Sequence, residues 1–277
     1  MKAAHPDALP IAGGTDVMVD INFDRLRPAA IIDLTRVAQL NEWGMDAGFL
    51  RIGAGVTYTR IIDELGERLP GLAMASRTVG SPQIRNRGTV GGNLGSASPA
   101  GDAHPPLLAS DALVELASTS GARRLPVREF YVGPKRNAMR KDELIAAFLV
   151  EPAKGAQQFS KVGTRNAMVI AVCSFAIALD SERRQVGTGI GSAAPTPVTA
   201  GEAESFIEAV LNEGALWERP AAVAPSALAR FGELVAGAAR PIDDVRGTAA
   251  YRTHALAVLA RRTFAWAWDE FRRTATS

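Results

Sequence analysis

Residues 81–102 read S-P-Q-I-R-N-R-G-T-V-G-G-N-L-G-S-A-S-P-A-G-D, and this stretch decides the fold. Gly88, Gly91, Gly92, Gly95 and Gly101 fall within it, with almost no long apolar side chain after Val90. It is too glycine-rich for a helix and too irregular for a regular strand. The expectation is a loop whose backbone approaches something closely. A second stretch of the same kind lies near the front, Ile11-Ala12-Gly13-Gly14-Thr15-Asp16.

Both stretches have the composition of a diphosphate cradle. Backbone N–H groups in a concave loop bind phosphate oxygens without a basic side chain, and glycines remove the Cβ atoms that would keep phosphates away. Thr15, Thr89, Asn93, Ser96 and Ser98 add neutral hydrogen-bond donors. Asp102 can accept from a ribose hydroxyl or from an N–H of a flavin ring. One G-G-T alone is an ordinary tight turn; two such loops, with N-L-G-S-A-S-P-A-G-D behind the second, read as a cofactor site.

Outward from the loops, Leu9 to Ala12 reads as a strand, Val17 to Phe23 as a short helix, and Ala30 to Leu34 and Phe49 to Ile52 as strands. Thr57 or Thr59 caps a helix running to about Arg68, and Leu72 to Val79 forms the next. Pro105-Pro106 opens a helix, and Ala112 to Ala117 alternates as a strand. Pro126 to Phe130 and Glu143 to Val150 bracket a loop rich in Lys, Arg and Asn. Beyond Pro152 the pattern changes: strands at Gln158 to Val162, Ala167 to Leu179 and Val186 to Ala193, then helices at Glu202 to Glu213, Ser226 to Ala238 and Gly247 to Phe271. Asp243 or Thr248 caps the last. The boundary falls near residue 155. A first domain is expected over 1–155, split into two subdomains near 35–50, and a second over 156–277.

Composition removes whole classes of function. The chain has 277 residues, 31 Lys and Arg against 29 Asp and Glu, and a net charge of +2. That balance, with only 6% aromatic residues, argues against a nucleic-acid partner. Cys173 is the only cysteine, so no internal disulfide forms, which fits a reducing cytoplasm, and no iron–sulfur cluster is held by this chain alone. His5, His104 and His254 form no local metal pair, so no metal site is expected. Residues 1–14 lack the apolar core of a secretory signal. The longest apolar run, Met168 to Leu179, is too short to span a membrane.

The nominal dinucleotide match Gly189-x-Gly191-x-x-Ala194 fails on context, because Pro195 and Pro197 stand where the helix should begin; it reads as a strand end. There is no P-loop and no G-x-S-x-G elbow. His104, with no nucleophile indicated nearby, reads as an exposed or capping histidine. Cys173 reads as an inert core residue. The last helix sets Leu259, Phe264, Trp266 and Trp268 opposite its arginines. No catalytic residue is expected.

Taken together, I-A-G-G-T-D-V-M at 11–18, I-G-A-G-V-T-Y at 52–58, Q-I-R-N-R-G-T-V-G-G-N-L at 83–94, S-P-A-G-D at 98–102, F-x-K-x-G-x-R at 159–165 and D-D-V-R-G-T-A-A-Y-R at 243–252 resemble the FAD-binding (medium) subunit of the molybdenum hydroxylases, the xanthine dehydrogenase and carbon monoxide dehydrogenase family. The resemblance implies an α+β fold: a two-subdomain FAD-binding unit of the vanillyl-alcohol oxidase/MurB type, then a C-terminal domain with a three-stranded antiparallel sheet and a helix bundle. It implies that Ile11, Ala12, Gly13, Gly14, Thr15 and Asp16 face Thr89, Gly91, Gly92 and Asn93 across the FAD diphosphate. Ser98 and Asp102 are implied to hydrogen-bond the cofactor, and Val79, Ile145 and Lys161 to contact it.

The implied activity is electron transfer. FAD would take electrons from the 2Fe–2S clusters of a small subunit, which a molybdopterin-binding large subunit reduces, and pass them to NAD⁺, oxygen or another acceptor. The assembly would be a cytoplasmic dimer of heterotrimers, and Gln83 to Arg87 would position the ring near the entry. A stand-alone FAD-dependent oxidoreductase and a non-enzymatic nucleotide-binding regulator are the alternatives. The family has about twenty more residues before its A-G-G-T-D loop; here Met1 begins almost at that loop, which leaves either a trimmed first subdomain or a different start.

Overall fold

The computed structural model describes residues 1–275; positions 276 and 277, the end of the second expected domain, lie outside the described residues. The chain opens with β1 (Leu9–Ile11), α1 (Val17–Asn22) and β2 (Ile31–Asp33), the two strands pairing in parallel. A second layer follows: β3 (Trp43–Asp46), β4 (Phe49–Gly53), α2 (Tyr58–Glu64), α3 (Pro70–Arg77), α4 (Pro82–Arg85), α5 (Val90–Ser96), α6 (His104–Ala109), β5 (Leu113–Ser118), β6 (Gly121–Pro126), α7 (Val127–Phe130), β7 (Tyr131–Gly133), β8 (Arg136–Asn137) and β9 (Leu144–Val150). Strands β3-β4-β9-β5-β6 form one antiparallel sheet in that order. The alternation of strand side chains puts Leu50, Ile52, Val114, Leu116 and Phe148 into the core. On the other face Arg51 and Arg124 both pair with Glu115. Burial alone would raise the Glu115 carboxyl, but these two guanidinium partners hold it below the ordinary value.

The remaining chain builds β10 (Gln157–Val162), β11 (Cys173–Asp180), β12 (Gln185–Gly191), α8 (Gly201–Glu213), α9 (Pro225–Ala238) and α10 (Ala249–Ala275). The three strands make an antiparallel sheet, β10-β11-β12. Phe175, Phe231, Phe264 and Trp268 fill the core between this sheet and the last helices. Trp266, expected on the same face, is half exposed instead. Both expected caps of α10 are used: Asp243 accepts from the Ala249 N–H and Thr248 from the Tyr251 N–H.

Helix α6 lies on the opposite face of this sheet, and glycine makes the contact possible. A Cβ on Gly187 or Gly189 would stand 2.0 Å from the carbonyl oxygen of Ala109 or Pro105, and one on Gly191 would stand 2.5 Å from Ser174 Oγ. Gly187-x-Gly189-x-Gly191 is thus a strand face cleared for a helix, in keeping with the strand-end reading of that motif.

Two local readings need correction. Residues 81–102 do contain helices, α4 and α5. Ser81 and Thr89 cap them, and Val90 and Leu94, four residues apart, are fully buried; cap and burial outweigh a helix cost of about 1 kcal/mol per glycine. The strand expected from Ala167 begins only at Cys173. Strands β3 and β6 have no counterpart in the sequence reading. They are the sheet edges, where one face is exposed and the apolar alternation fades.

Candidate functional site

The first glycine loop connects β1 to α1. The second begins at the N-cap of α5. They meet directly: a Cβ on Gly13 would stand 1.9 Å from the Arg87 carbonyl oxygen and 3.0 Å from the Gly88 Cα. Gly14 takes φ +75°, which only glycine adopts freely.

The two glycines of α5 do different things. Gly91 presses on Ala54, whose carbonyl oxygen would lie 2.4 Å from a Cβ. Gly92 is exposed, and a Cβ there would meet only Thr89 Oγ1, at 3.1 Å. Its N–H is engaged by that same threonine at 2.8 Å, so Gly92 contributes open space rather than a donor. Its φ is not in the left-handed region.

Behind the loops lies a buried polar cluster. The Asp102 and Lys161 side chains are about nine-tenths buried, and Lys161 Nζ donates to Asp102 Oδ2 at 2.6 Å and to the Thr78 carbonyl at 3.1 Å. The pair joins the 98–102 loop to β10. Burial pushes the Asp102 carboxyl up, and Lys161 opposes that push. The other carboxylate oxygen, Asp102 Oδ1, is buried with no partner; so are Asn93 Oδ1 and His104 Nε2.

Val79 follows Thr78, and its carbonyl accepts from Arg85, as does that of Gly80; Arg85 braces its own turn rather than standing in solvent. Ile145 on β9 sits under Gly95, its Cδ1 3.7 Å from where a Cβ would be. Ser98 Oγ accepts from the Ala100 N–H across a turn. Ile11, Ala12 and Thr15 are half-buried and Asp16 is exposed.

Three residues of the cluster escaped sequence reasoning. His104 is not exposed but fully buried, with Nδ1 2.8 Å from the Tyr131 hydroxyl. Burial drives its pKa down to about 3, so the ring is neutral. Tyr58, also buried, feels the charges of Asp102 and Asp16, and its hydroxyl pKa lies well above the ordinary value, chiefly through burial. No local spacing ties Tyr131 or Tyr58 to His104. Cys173 is buried as expected, its thiol pushed up to about 12 by burial. Among the described residues no group of metal-ligating side chains occurs, and no helix is long and apolar enough to cross a membrane.

Two family models match in sequence: an FAD binding domain in molybdopterin dehydrogenase over residues 1–151, and a CO dehydrogenase flavoprotein C-terminal domain over residues 158–267. A xanthine dehydrogenase FAD-binding subunit from Escherichia coli O157:H7 is 34% identical over 214 residues, 74% of this chain and 73% of that protein. The nicotine 6-hydroxylase medium subunit of Paenarthrobacter nicotinovorans is 30% identical over 95% of this chain and 90% of its own. Carbon monoxide dehydrogenase from Hydrogenophaga pseudoflava contains a chain that superposes with TM-score 0.84 and 25% identity, over 96% of this chain and 91% of that one.

Proposed function

The chain belongs to the family of FAD-binding subunits of molybdopterin dehydrogenases, and from that premise we propose that it is the electron-transfer subunit of a cytoplasmic molybdenum hydroxylase. The observation that carries this reading is the unpaired Asp102 Oδ1, buried in the S-P-A-G-D stretch that follows the second glycine loop. An orphaned buried carboxylate oxygen is costly unless a ligand supplies a donor.

The residues fit FAD. The 11–16 loop and Thr89 to Asn93 would hold its diphosphate, with Gly92 providing room. Asp102 Oδ1 would accept from a ribose hydroxyl or a ring N–H, while Lys161 opposes the effect of burial on the carboxyl and fixes its other oxygen. Ile145 and Val79 would give apolar contact. When bound, FAD supplies the redox chemistry, between 2Fe–2S clusters of a partner and NAD⁺, oxygen or another acceptor. The chain's own work is binding and orientation. With one cysteine, buried and free, it ligates no cluster, so electrons reach the site through an interface with a 2Fe–2S small subunit, itself served by a molybdopterin-binding large subunit. A dimer of heterotrimers is the assembly this implies.

The test is titration of the apo chain with FAD, followed by anaerobic mixing with its partner subunits. One FAD per chain, released intact on denaturation, is expected. Asp102→Ala should bind about 10- to 150-fold more weakly, the equivalent of a hydrogen bond to a charged group. Flavin bleaching near 450 nm should require the partners; bleaching by a small substrate without them would favour a stand-alone oxidoreductase.

A further inference from the structure

We infer that His104 is a positioning residue of the cradle: it holds the Asn93 amide with its oxygen inward, so that the amide's N–H groups face the FAD diphosphate. The inference rests on the FAD reading of the site and adds to it a residue that touches no ligand.

His104 is fully buried at the start of α6, its ring edge-on to Tyr131 with centroids 4.9 Å apart. Nδ1 meets the Tyr131 hydroxyl at 2.8 Å. On the other side, a Cβ on Gly101 would be 2.4 Å from His104 Nε2 and 2.6 Å from Asn93 Oδ1, so both atoms lie close beside the same glycine. Both are buried, and neither has a partner of normal geometry. The one backbone group that acts on the ring is the Ser98 carbonyl, another acceptor.

A neutral imidazole carries one hydrogen, and burial keeps this one neutral. With Nδ1 accepting from the Tyr131 hydroxyl, Nε2 is the nitrogen that holds it. A donor at Nε2 favours the amide oxygen of Asn93 over its NH₂. Asn93 is only half-buried, so with Oδ1 inside, its NH₂ is the end left to face outward. An amide turned the other way would present an oxygen lone pair to a phosphate and repel it. Gly101 is needed because a Cβ there would overlap both atoms.

The experiment measures FAD affinity of the full-length apo chain by flavin fluorescence, for the wild type, His104→Leu, Asn93→Ala and the double variant. His104→Leu is expected to weaken binding about tenfold, Asn93→Ala about as much, and the double variant no more than either alone, because both remove one interaction. His104→Gln, which restores a donor, should return affinity to within about threefold of wild type. If His104→Leu does not fold, Tyr131→Phe is read in the same cycle; it should weaken binding severalfold in the wild-type background and not at all with Asn93→Ala. Wild-type affinity in the His104 or Tyr131 variant, or losses that multiply, would overturn the inference. A wild-type chain that binds no FAD would overturn the site reading beneath it.

Discussion

Neighbouring glycines in one short helix serve opposite purposes. Gly91 is needed for packing, since its missing Cβ is the space Ala54 occupies; Gly92 is needed by whatever lies outside, since nothing but Thr89 stands over it. Gly91→Ala should therefore destabilise the fold by about 1–3 kcal/mol through overpacking, seen in chemical denaturation of the apo protein. Gly92→Val should leave the melting temperature within a few degrees and abolish FAD retention on gel filtration; retention at the wild-type level would remove this loop from the site. His104 gives the residue scale a pH signature. Its folded pKa of about 3 lies below the unfolded value of 6.5, so the unfolded chain binds the extra proton as pH falls. Its contribution is fully present above about pH 6.5 and is lost at about 1.4 kcal/mol per pH unit below that, towards pH 3. Urea denaturation at several pH values should show that slope, and His104→Gln should flatten it.

At the scale of elements, the exposed edge of β12 is sealed by a helix. Glu208 on α8 accepts from the Val186 N–H, and Glu204 accepts from both the N–H and the hydroxyl of Thr188, at 2.8 and 2.6 Å. Burial raises the Glu204 carboxyl, against the pull of those two bonds. Thr188 is itself fully buried, and its hydroxyl oxygen accepts a further bond from the Ala200 N–H just before α8. An unpaired strand edge is a template for unwanted pairing, and here two carboxylates close it. Glu204→Ala strands a buried N–H, for a loss of about 1–3 kcal/mol in denaturant titrations. If the variant is as stable as wild type, the edge is satisfied some other way. Helix α10 shows the same economy: Arg252, buried within it, donates to the Val172 and Ser192 carbonyls and pairs with Asp244. One side chain thereby ties the loop before α10 to the ends of β11 and β12.

Across the whole molecule, the site belongs to both halves of the sequence. Lys161 stands beyond the boundary expected at 155, yet its ammonium is the partner of Asp102. The Ser192 N–H donates to the Pro99 carbonyl, inside the S-P-A-G-D stretch. Helix α6, which begins with His104, rests on the glycine face of β12. Gly189→Val would drive that helix off the sheet, since a Cβ alone would lie 2.0 Å from the Pro105 carbonyl. Stability and FAD affinity should fall together, by several kcal/mol in stability, measured by calorimetry and by flavin fluorescence. A variant that loses stability but binds FAD like wild type would show the cradle to be independent of the second sheet.

What the sequence determined by itself was local. Thr57 as a cap, the turn at Gly13-Gly14, the Pro105 helix start, the last three helices and the family motifs depend on residues a few positions apart, where propensity and spacing act. The two glycine loops were legible as places of close backbone approach because both lack side chains in the same way. Helices α4 and α5 were not, because the burial of Val90 and Leu94 that stabilises the second of them comes from distant strands. Tertiary structure alone decided which glycine is packed and which is open. It also set Lys161 against Asp102 across 59 positions and Tyr131 against His104 across 27. Hydrogen bonds between such distant groups leave no periodicity in the chain. They form only once the core has excluded water, which makes an unpaired polar atom expensive and so selects its partner.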